Sequence, residues 1–373
     1  MKLLLYSDLH AHPFKPYATV LPNGMNSRLA DTISCVQQIL DYCIHHPEIE
    51  AVLFGGDLFH TRGRLSVQAF NAIFETIAGF QVRKIPQLLI DGNHDQADRH
   101  GSVVSIHTLR TVATVVDAPG WQHLQTRTGK FVAVMAVPYT ENVQHLRELV
   151  NEPMPFSNGS PVPKIFLGHL GIQGAKVGAD YVYPGPYDPA IADLNTSAFD
   201  YAFLGHFHLH QQLAPNACYI GAPLQHNWGD KNDPNRGFLV YDTDTRTVER
   251  VALRSPHFVE VEWDLLKIPS AQQGFQHYAT DGFLQVIDRR VWSEDEKEDL
   301  RIKLGARDLQ VVQPADAQPQ VSNRRVTITP GMGYSEILQS CIDSGVLPME
   351  EGLDPDYLVM LGAEIFSEVE DGQ

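Results

Sequence analysis

Five short apolar segments of this chain each run directly into a loop that carries Asp, Asn or His. Residues 2–7 lead to Asp8-Leu9-His10, and residues 51–54 lead to Gly55-Gly56-Asp57. Residues 87–90 lead to Asp91-Gly92-Asn93-His94-Asp95. Residues 164–167 lead to Gly168-His169, and residues 201–204 to Gly205-His206-Phe207-His208. Short apolar runs bounded by turn residues read as buried strands. Between the first three, Leu29, Ile33, Val36, Ile39, Leu40, Cys43 and Ile44 recur at three- and four-residue steps, as do Val67, Phe70, Ile73, Phe74 and Ile77. These are the core-facing stripes of two helices, with Ser66 placed to cap the second. Alternating strand and helix is the signature of an α/β fold. In such a fold the loops at the carboxyl ends of the strands converge on one crevice.

Further strands are expected at 111–116 and 131–137, and a proline-rich loop at 151–163. A hairpin of 238–242 with 247–253 closes a first domain over residues 1–255. After Pro256 the pattern changes. Val259, Val261 and Trp263 alternate with acids, a helix pattern falls near 293–305, and a strand is expected at 324–328. Residues 256–330 therefore read as a small α+β domain. Residues 331–373 form an acidic segment in which Ile337, Leu338 and Ile342, then Leu358, Leu361 and Ile365, recur at helical steps. It reads as a docking element for a partner, with dimerisation or a helix pair packed on its own chain as the alternatives.

The 28 basic and 45 acidic residues give a net charge of −17. Ten of those acids and no Lys or Arg lie in 331–373, which leaves −7 for the first 330 residues. Such a balance argues against a polyanionic partner unless bound cations neutralise some carboxylates. The four cysteines form no C-x-x-C pair, so a thiolate zinc site is not expected. Cys35 and Cys43 fall on the core stripe of the first helix. No apolar run approaches the ~20 residues that span a bilayer. The run at 1–6 meets Ser7-Asp8 too soon for a signal peptide. A cytoplasmic protein without membrane contact is the expectation.

Carboxylate, carboxamide and imidazole donors suit Mn, Fe, Zn or Mg. Seven of them, Asp8, His10, Asp57, Asn93, His169, His206 and His208, are too many for one ordinary ion. They match two ions that share a carboxylate, about 3.5–4 Å apart. Glycines ahead of the ligands let the backbone turn sharply and leave room for the ions.

The ordered series of five motifs resembles the calcineurin-like metallophosphoesterase superfamily. Within it, Gly55-Gly56-Asp57-Leu58-Phe59-His60 resembles the SbcD-type nucleases of DNA double-strand-break repair and the related phage recombination endonucleases. So do Tyr219-Ile220-Gly221-Ala222-Pro223-Leu224-Gln225, Gly229-Asp230 and Arg236-Gly237-Phe238. The resemblance covers about residues 1–255 and implies a β-sandwich flanked by helices, followed by a small α+β capping domain that binds DNA. It implies that Asp8, His10, Asp57 and His208 hold one ion, and that Asp57, Asn93, His169 and His206 hold the other. His94 would be the catalytic histidine at the scissile phosphate, and His60 a second histidine that positions substrate. The resemblance also implies manganese, a DNA substrate, an SMC-like coiled-coil ATPase (SbcC-type) as partner, and a homodimer.

Arg62, Arg64 and Arg99 follow two of the metal loops, where arginine contacts phosphates. Arg289, Arg290, Arg301, Arg307, Arg324 and Arg325 are candidates to track a DNA backbone. Phe59, Tyr139, Tyr181 and Tyr183 are candidates to stack on bases, though packing competes for each. Asp95 has two readings, orienting His94 or capping a following helix. Two other activities fit the scaffold, a protein phosphatase or a cyclic-nucleotide phosphodiesterase. The phosphatases carry a Gly-Asp-x-Val-Asp-Arg-Gly pattern, whereas Asp57 here is followed by Leu-Phe-His-Thr-Arg-Gly. A non-catalytic subunit of a repair complex would be expected to lack ligands, and none is missing. No Walker motif occurs, so any ATP-driven step needs another chain.

Overall fold

The strands expected from the apolar runs assemble into two six-stranded sheets. The computed structural model describes residues 1–97, 103–155, 162–177, 181–185, 187–231, 233–314 and 334–343. The first sheet is built from β1 (Lys2–Tyr6), β2 (Ile49–Phe54), β3 (Gln87–Ile90) and β4 (Thr114–Val116), with β13 (Gly237–Asp242) and β14 (Thr247–Ala252). Its order is β14-β13-β1-β2-β3-β4, with β1 to β4 parallel, β13 antiparallel to β1, and β14 antiparallel to β13. The second sheet comprises β5 (Gly120–Gln125), β6 (Phe131–Val137), β7 (Lys164–His169), β10 (Tyr201–Gly205), β11 (Gln211–Ala214) and β12 (Ala217–Tyr219), in the order β11-β12-β10-β7-β6-β5. Strands β6, β7, β10 and β12 run parallel in it. A two-stranded ribbon, β8 (Lys176–Val177) with β9 (Tyr181–Val182), lies in the connection between β7 and β10.

Side-chain alternation makes this a layered sandwich. Leu3 and Leu5 of β1 point into a core shared with Val134, Ile165, Leu167 and Phe203 of the second sheet. Leu4 and Tyr6 of the same strand point the other way. They pack with Val52 and Phe54 against α1 (Ser27–His45) and α2 (Val67–Val82). The outer face of the second sheet buries Met135, Phe166, Ala202 and Leu204 under α3 (Val143–Leu149) and the loops near Leu194 and Phe199. The expected sandwich flanked by helices is the observed architecture. Asn26 caps α1 by accepting from Leu29 N–H at 3.1 Å. Ser66 caps α2 as its sequence position suggested, accepting from Ala69 N–H at 3.3 Å. Cys35 and Cys43 are fully buried on α1.

The expected strand at 111–116 is shorter. His107–Thr111 winds as a 3-10 turn and only Thr114–Val116 pairs with β3. The turn buries Leu109 against the helix side, which competes with extension of the strand. The hairpin at the end of the first sheet stands where it was expected.

Beyond it, β15 (Phe258–Glu262), β16 (Phe283–Ile287) and β17 (Asp308–Val312) form a three-stranded sheet. Helices α4 (Trp263–Leu266), α5 (Pro269–Ala279) and α6 (Glu294–Leu304) close a separate core around Val261, Leu284, Val286, Trp292 and Leu300. Ser293 and Glu296 form a capping box on α6. The expected strand at 324–328 lies outside the described residues. The chain divides into two compact units, Met1–Val286 with Trp292–Val311, and Ile287–Val291 with Val312–Gln373. Of the second unit, the described helix is α7 (Tyr334–Asp343). Among the described residues, no helix is long and apolar enough to cross a membrane.

Candidate metal centre

The loops that follow β1, β2, β3, β7 and β10 meet at the seam between the two sheets. The parallel pairing of β1 with β2 continues past the strands. Asp8 N–H donates to the Gly56 carbonyl at 2.9 Å and His10 N–H to the Asp57 carbonyl at 3.0 Å. Two ligand loops are thereby stitched together. Asp8, His10, Asp57 and His206 all have positive φ, between 47° and 106°. Left-handed backbone at four non-glycine residues is uncommon, and such strain gathers at functional sites. A Cβ built on Gly92 would collide with the Asp57 carboxylate and backbone. Only glycine lets the β3 loop come this close.

All nine residues proposed from sequence to bind metal or react are brought together. Asp57 is central: Oδ2 lies 3.5 Å from His10 Nε2 and 3.4 Å from His169 Nε2. Its Oδ1 accepts from His94 N–H at 2.8 Å. Asn93 Oδ1 sits 3.2 Å from His169 Nε2 and 3.1 Å from His206 Nδ1. His10 Nε2 and His208 Nε2 are 3.1 Å apart. Donor atoms of Asp8, His10 and His208 cluster within 4.8 Å of one another. The same holds for Asp8, Asp57 and His169, and for His10, His60 and His94.

This donor set fits divalent ions. Two carboxylates, Asp8 and Asp57, are buried side by side, which is costly without a cation. Burial and Asp57 raise the Asp8 carboxyl, while His169 and His208 oppose them. Burial also opposes ionisation of Asp57, yet His169 and His10 hold it well below the usual carboxylate range. Burial disfavours charge on His169 too, but Asp57 and Asp8 push it up to about 9. Burial takes His206 down to about 3 and His60 down to about 4, neighbouring histidines adding to the effect. His206 and His60 are thus neutral imidazoles as they stand, while His169 would give up its proton to act as a ligand to a bound cation.

Second partners orient the rings. His169 Nδ1–H donates to the Gly55 carbonyl at 2.7 Å, which turns Nε2 inward. His94 Nδ1–H donates to the His60 carbonyl at 2.6 Å. A carbonyl can only accept, so both tautomers are set by the fold. Asp95 fulfils neither of its two expected roles. Its buried carboxylate accepts from the N–H groups of Leu58, Phe59 and Gly92 and from Ser105 Oγ, bracing the β2 loop against the β3 loop. Burial and Asp57 push it up to about 7 against those hydrogen bonds.

Residues 1–210 match the calcineurin-like phosphoesterase family. The chain belongs to that family. The phosphoesterase is 25% identical over 220 residues to a protein of Invertebrate iridescent virus 6 that carries the name phosphoesterase 244L, covering 57% of this chain and 72% of the viral one. It is 29% identical over 213 residues to a component of the nuclease SbcCD, its SbcD protein, from Staphylococcus epidermidis. That match covers 52% of this chain and 55% of the nuclease component, so the chain spans about half the length of that relative. A dimetal phosphatase from Danio rerio superposes with a TM-score of 0.38 at 11% identity, covering 64% of this chain and 91% of that one. Membership in the family makes this a metal-dependent phosphoester hydrolase, with the Asp/His cluster as the candidate metal site.

The phosphoesterase also uses residues to which sequence reasoning gave no role. His226 Nε2–H donates to the Asp8 carbonyl at 3.0 Å, and its ring stands 5.1 Å from both His10 and His208. Asp230 lies 3.7 Å from His208 Nδ1 and accepts from His226 N–H at 2.9 Å. The buried Arg236 holds Asp230 at 3.0 Å and donates to the His208 carbonyl. Burial works against the Asp230 charge, but His208 and Arg236 keep its carboxyl far below the ordinary range. Gly229-Asp230 and Arg236 were visible as a motif; the link to His208 needed the fold.

The expected DNA contacts fare differently. Arg62 and Arg64 are exposed and form no ion pair among the described residues. Arg99 lies outside the described residues, as do Arg324 and Arg325. Arg290 pairs with Asp288, Arg301 with Glu298, and Arg307 with Asp31 and Asp281, so these three are engaged within the chain. Phe59 is wholly buried in the helix-side core, which removes it from base stacking. Tyr183 is bound to Asp188 through its hydroxyl at 2.6 Å, and Tyr181 is exposed. The Tyr139 ring lies 5.9 Å from His206.

Proposed function

We propose that this phosphoesterase is a two-metal DNA nuclease that hydrolyses phosphodiesters in recombination or double-strand-break repair, alongside an SMC-like ATPase. The observation that carries the reading is the position of Asp57. Its carboxylate stands between His10 on one side and His169 on the other. Asp8 and His208 complete the first cluster, and Asn93 and His206 the second. DNA as substrate is supported by the Asp57-Leu58-Phe59-His60 motif and by the likeness to a component of a nuclease.

A pair of divalent ions, manganese by preference, would polarise the phosphodiester and acidify a water at neutral pH. The chain's own residues do the rest. Asp8, His10, Asp57 and His208 take one ion, and Asp57, Asn93, His169 and His206 the other. His94, fixed by the His60 carbonyl, leaves Nε2 to serve the departing oxygen or the phosphoryl oxygens. His60 stacks on His94 at 5.3 Å and limits its rotation.

The test is calorimetry of Mn²⁺ binding together with hydrolysis of a labelled DNA duplex. Wild-type protein should bind two ions and cleave, and chelator should stop cleavage. Asp57→Ala should lose both ion binding and cleavage, because nothing else bridges the clusters. Hydrolysis confined to phosphomonoesters would replace the nuclease reading with a phosphatase.

A further inference from the structure

A cavity of about 450 Å³ is lined on one side by metal ligands, among them His10, Asp57 and His208, and its other wall is unlike the rest of the centre. Phe14, Pro16, Tyr17, Asn227 and Phe258 line it together with Arg28. Arg28 is only 5% exposed. Its guanidinium lies 5.5 Å from the centroid of the Phe14 ring and 5.3 Å from that of Phe258. It donates to the Pro16 carbonyl at 3.2 Å and to the His226 carbonyl at 2.7 Å. No carboxylate within ion-pair distance neutralises it among the described residues. The nearby Asp31 is bound bidentately by Arg307 instead, at 2.7 and 3.0 Å. A buried cation with no carboxylate at ion-pair distance is expensive, and two neutral carbonyls and the more distant Asp31 only partly offset that cost. Arginine so placed suits a phosphate, which takes two parallel N–H bonds.

Among the described residues Arg28 hydrogen-bonds to no metal-ligand side chain. Arg28 reaches the metal ligands only through His226, which itself bonds to the Asp8 backbone. The anion it meets is therefore one group removed from the reacting one. Phe14 bridges the two regions, with its ring 4.7 Å from that of His60. Tyr17 and Phe258 form an edge-to-face pair at 6.0 Å on the same wall. Aromatic surface beside a lone guanidinium matches a nucleoside and its phosphate.

We propose that this cavity is a nucleotide subsite, in which Arg28 binds the phosphate adjacent to the scissile one and Phe14, Tyr17 and Phe258 take the intervening nucleoside. The inference rests on the nuclease reading above and adds its selectivity: the centre takes a phosphodiester chain in preference to an isolated ester.

The experiment compares two probes on Mn²⁺-loaded full-length protein. One is single-stranded trithymidylate, and the other is bis(p-nitrophenyl) phosphate, which has no neighbouring phosphate. The readout is the ratio of kcat/KM on the first to that on the second. In Arg28→Gln the ratio should fall about tenfold or more, as loss of a charged hydrogen-bonding pair predicts. A fall in the melting temperature with an unchanged ratio would show a purely structural arginine and overturn the proposal. Phe14→Ala leaves the buried guanidinium in place and should lower the ratio through KM; it carries the test if Arg28→Gln does not fold. If wild-type protein turns over the small diester but not trithymidylate, the nuclease reading fails. The subsite is then judged by inhibition. Trithymidylate competing with the small diester, with an inhibition constant weakened in either variant, upholds it; absence of competition overturns it.

Discussion

His94 shows how one side chain is readied for chemistry by its surroundings. Its backbone N–H is held by Asp57 at 2.8 Å and its Nδ1–H by the His60 carbonyl at 2.6 Å. Neither bond uses Nε2. His94→Ala should therefore keep both ions, as calorimetry would show, while kcat falls by about 10²–10⁴ if the ring serves as general acid. Loss of an ion in that variant would move His94 into the ligand set. His226 supports a different test, because burial pushes it down to about 3. The unfolded chain takes up a proton at this residue below about pH 6.5, while the folded chain does not until far lower pH. The stability owed to a neutral His226 is thus complete above pH 6.5 and is lost as pH falls below it. Between pH 7.5 and 5, chelator-treated wild type should lose about 2 kcal/mol more stability than His226→Gln. Urea titrations of both proteins at the two pH values measure it. Parallel losses would mean that His226 takes up its proton in the fold over the same pH range as in the unfolded chain.

At the scale of elements, legibility followed the distance between a residue and the strand that aims it. Asp8, Asp57, Asn93, His169 and His206 come within a few residues of a buried apolar strand, so sequence order alone placed them at one crevice. Asp230 and Arg236 come from the stretch between β12 and β13, which has no strand of its own to mark it. Their function appears only when β13 pairs with β1 and carries the stretch back to His208. Asp95 misled for a related reason. A residue beside a ligand invites a local role, but its carboxylate serves backbone groups 36 and 37 positions away. In the smaller core, α6 and β15 were legible from a helix pattern near 293–305 and from alternation. β16 and α5 were not, because Phe283–Ile287 and Pro269–Ala279 have weak patterns that tertiary burial overrides. The structure also gives the β12–β13 stretch a measurable role. Asp230→Ala removes the partner of His208 Nδ1 and leaves Arg236 unpaired on that side. Such outer partners are worth about 10–100-fold in metal affinity. Calorimetry with Mn²⁺ should show that weakening in the ion that His208 holds, with the other ion unaffected. Equal binding of both ions to the variant would make Asp230 a support for the loop alone.

At the scale of the whole molecule, the residues of the metal centre and of its adjoining cavity all lie between Asp8 and Phe258, inside the first compact unit. The ten unbalanced carboxylates of residues 331–373 belong to the second. Strong negative charge on a segment near DNA would repel the substrate, whereas a partner with a basic groove would be attracted by it. α7 occupies part of this segment, and Ile337, Leu338 and Ile342 recur along it at helical spacing, as a groove-binding helix requires. Chemistry and docking are therefore expected to separate. A chain truncated after Pro330 should melt cooperatively and keep Mn²⁺-dependent hydrolysis of short DNA. It should lose association with an ATPase partner, or self-association if the segment joins two copies, and light scattering on the same sample reports the mass. An inactive, aggregated truncation would assign the segment to the core of the fold. A complex of unchanged mass would place the contact elsewhere on the surface.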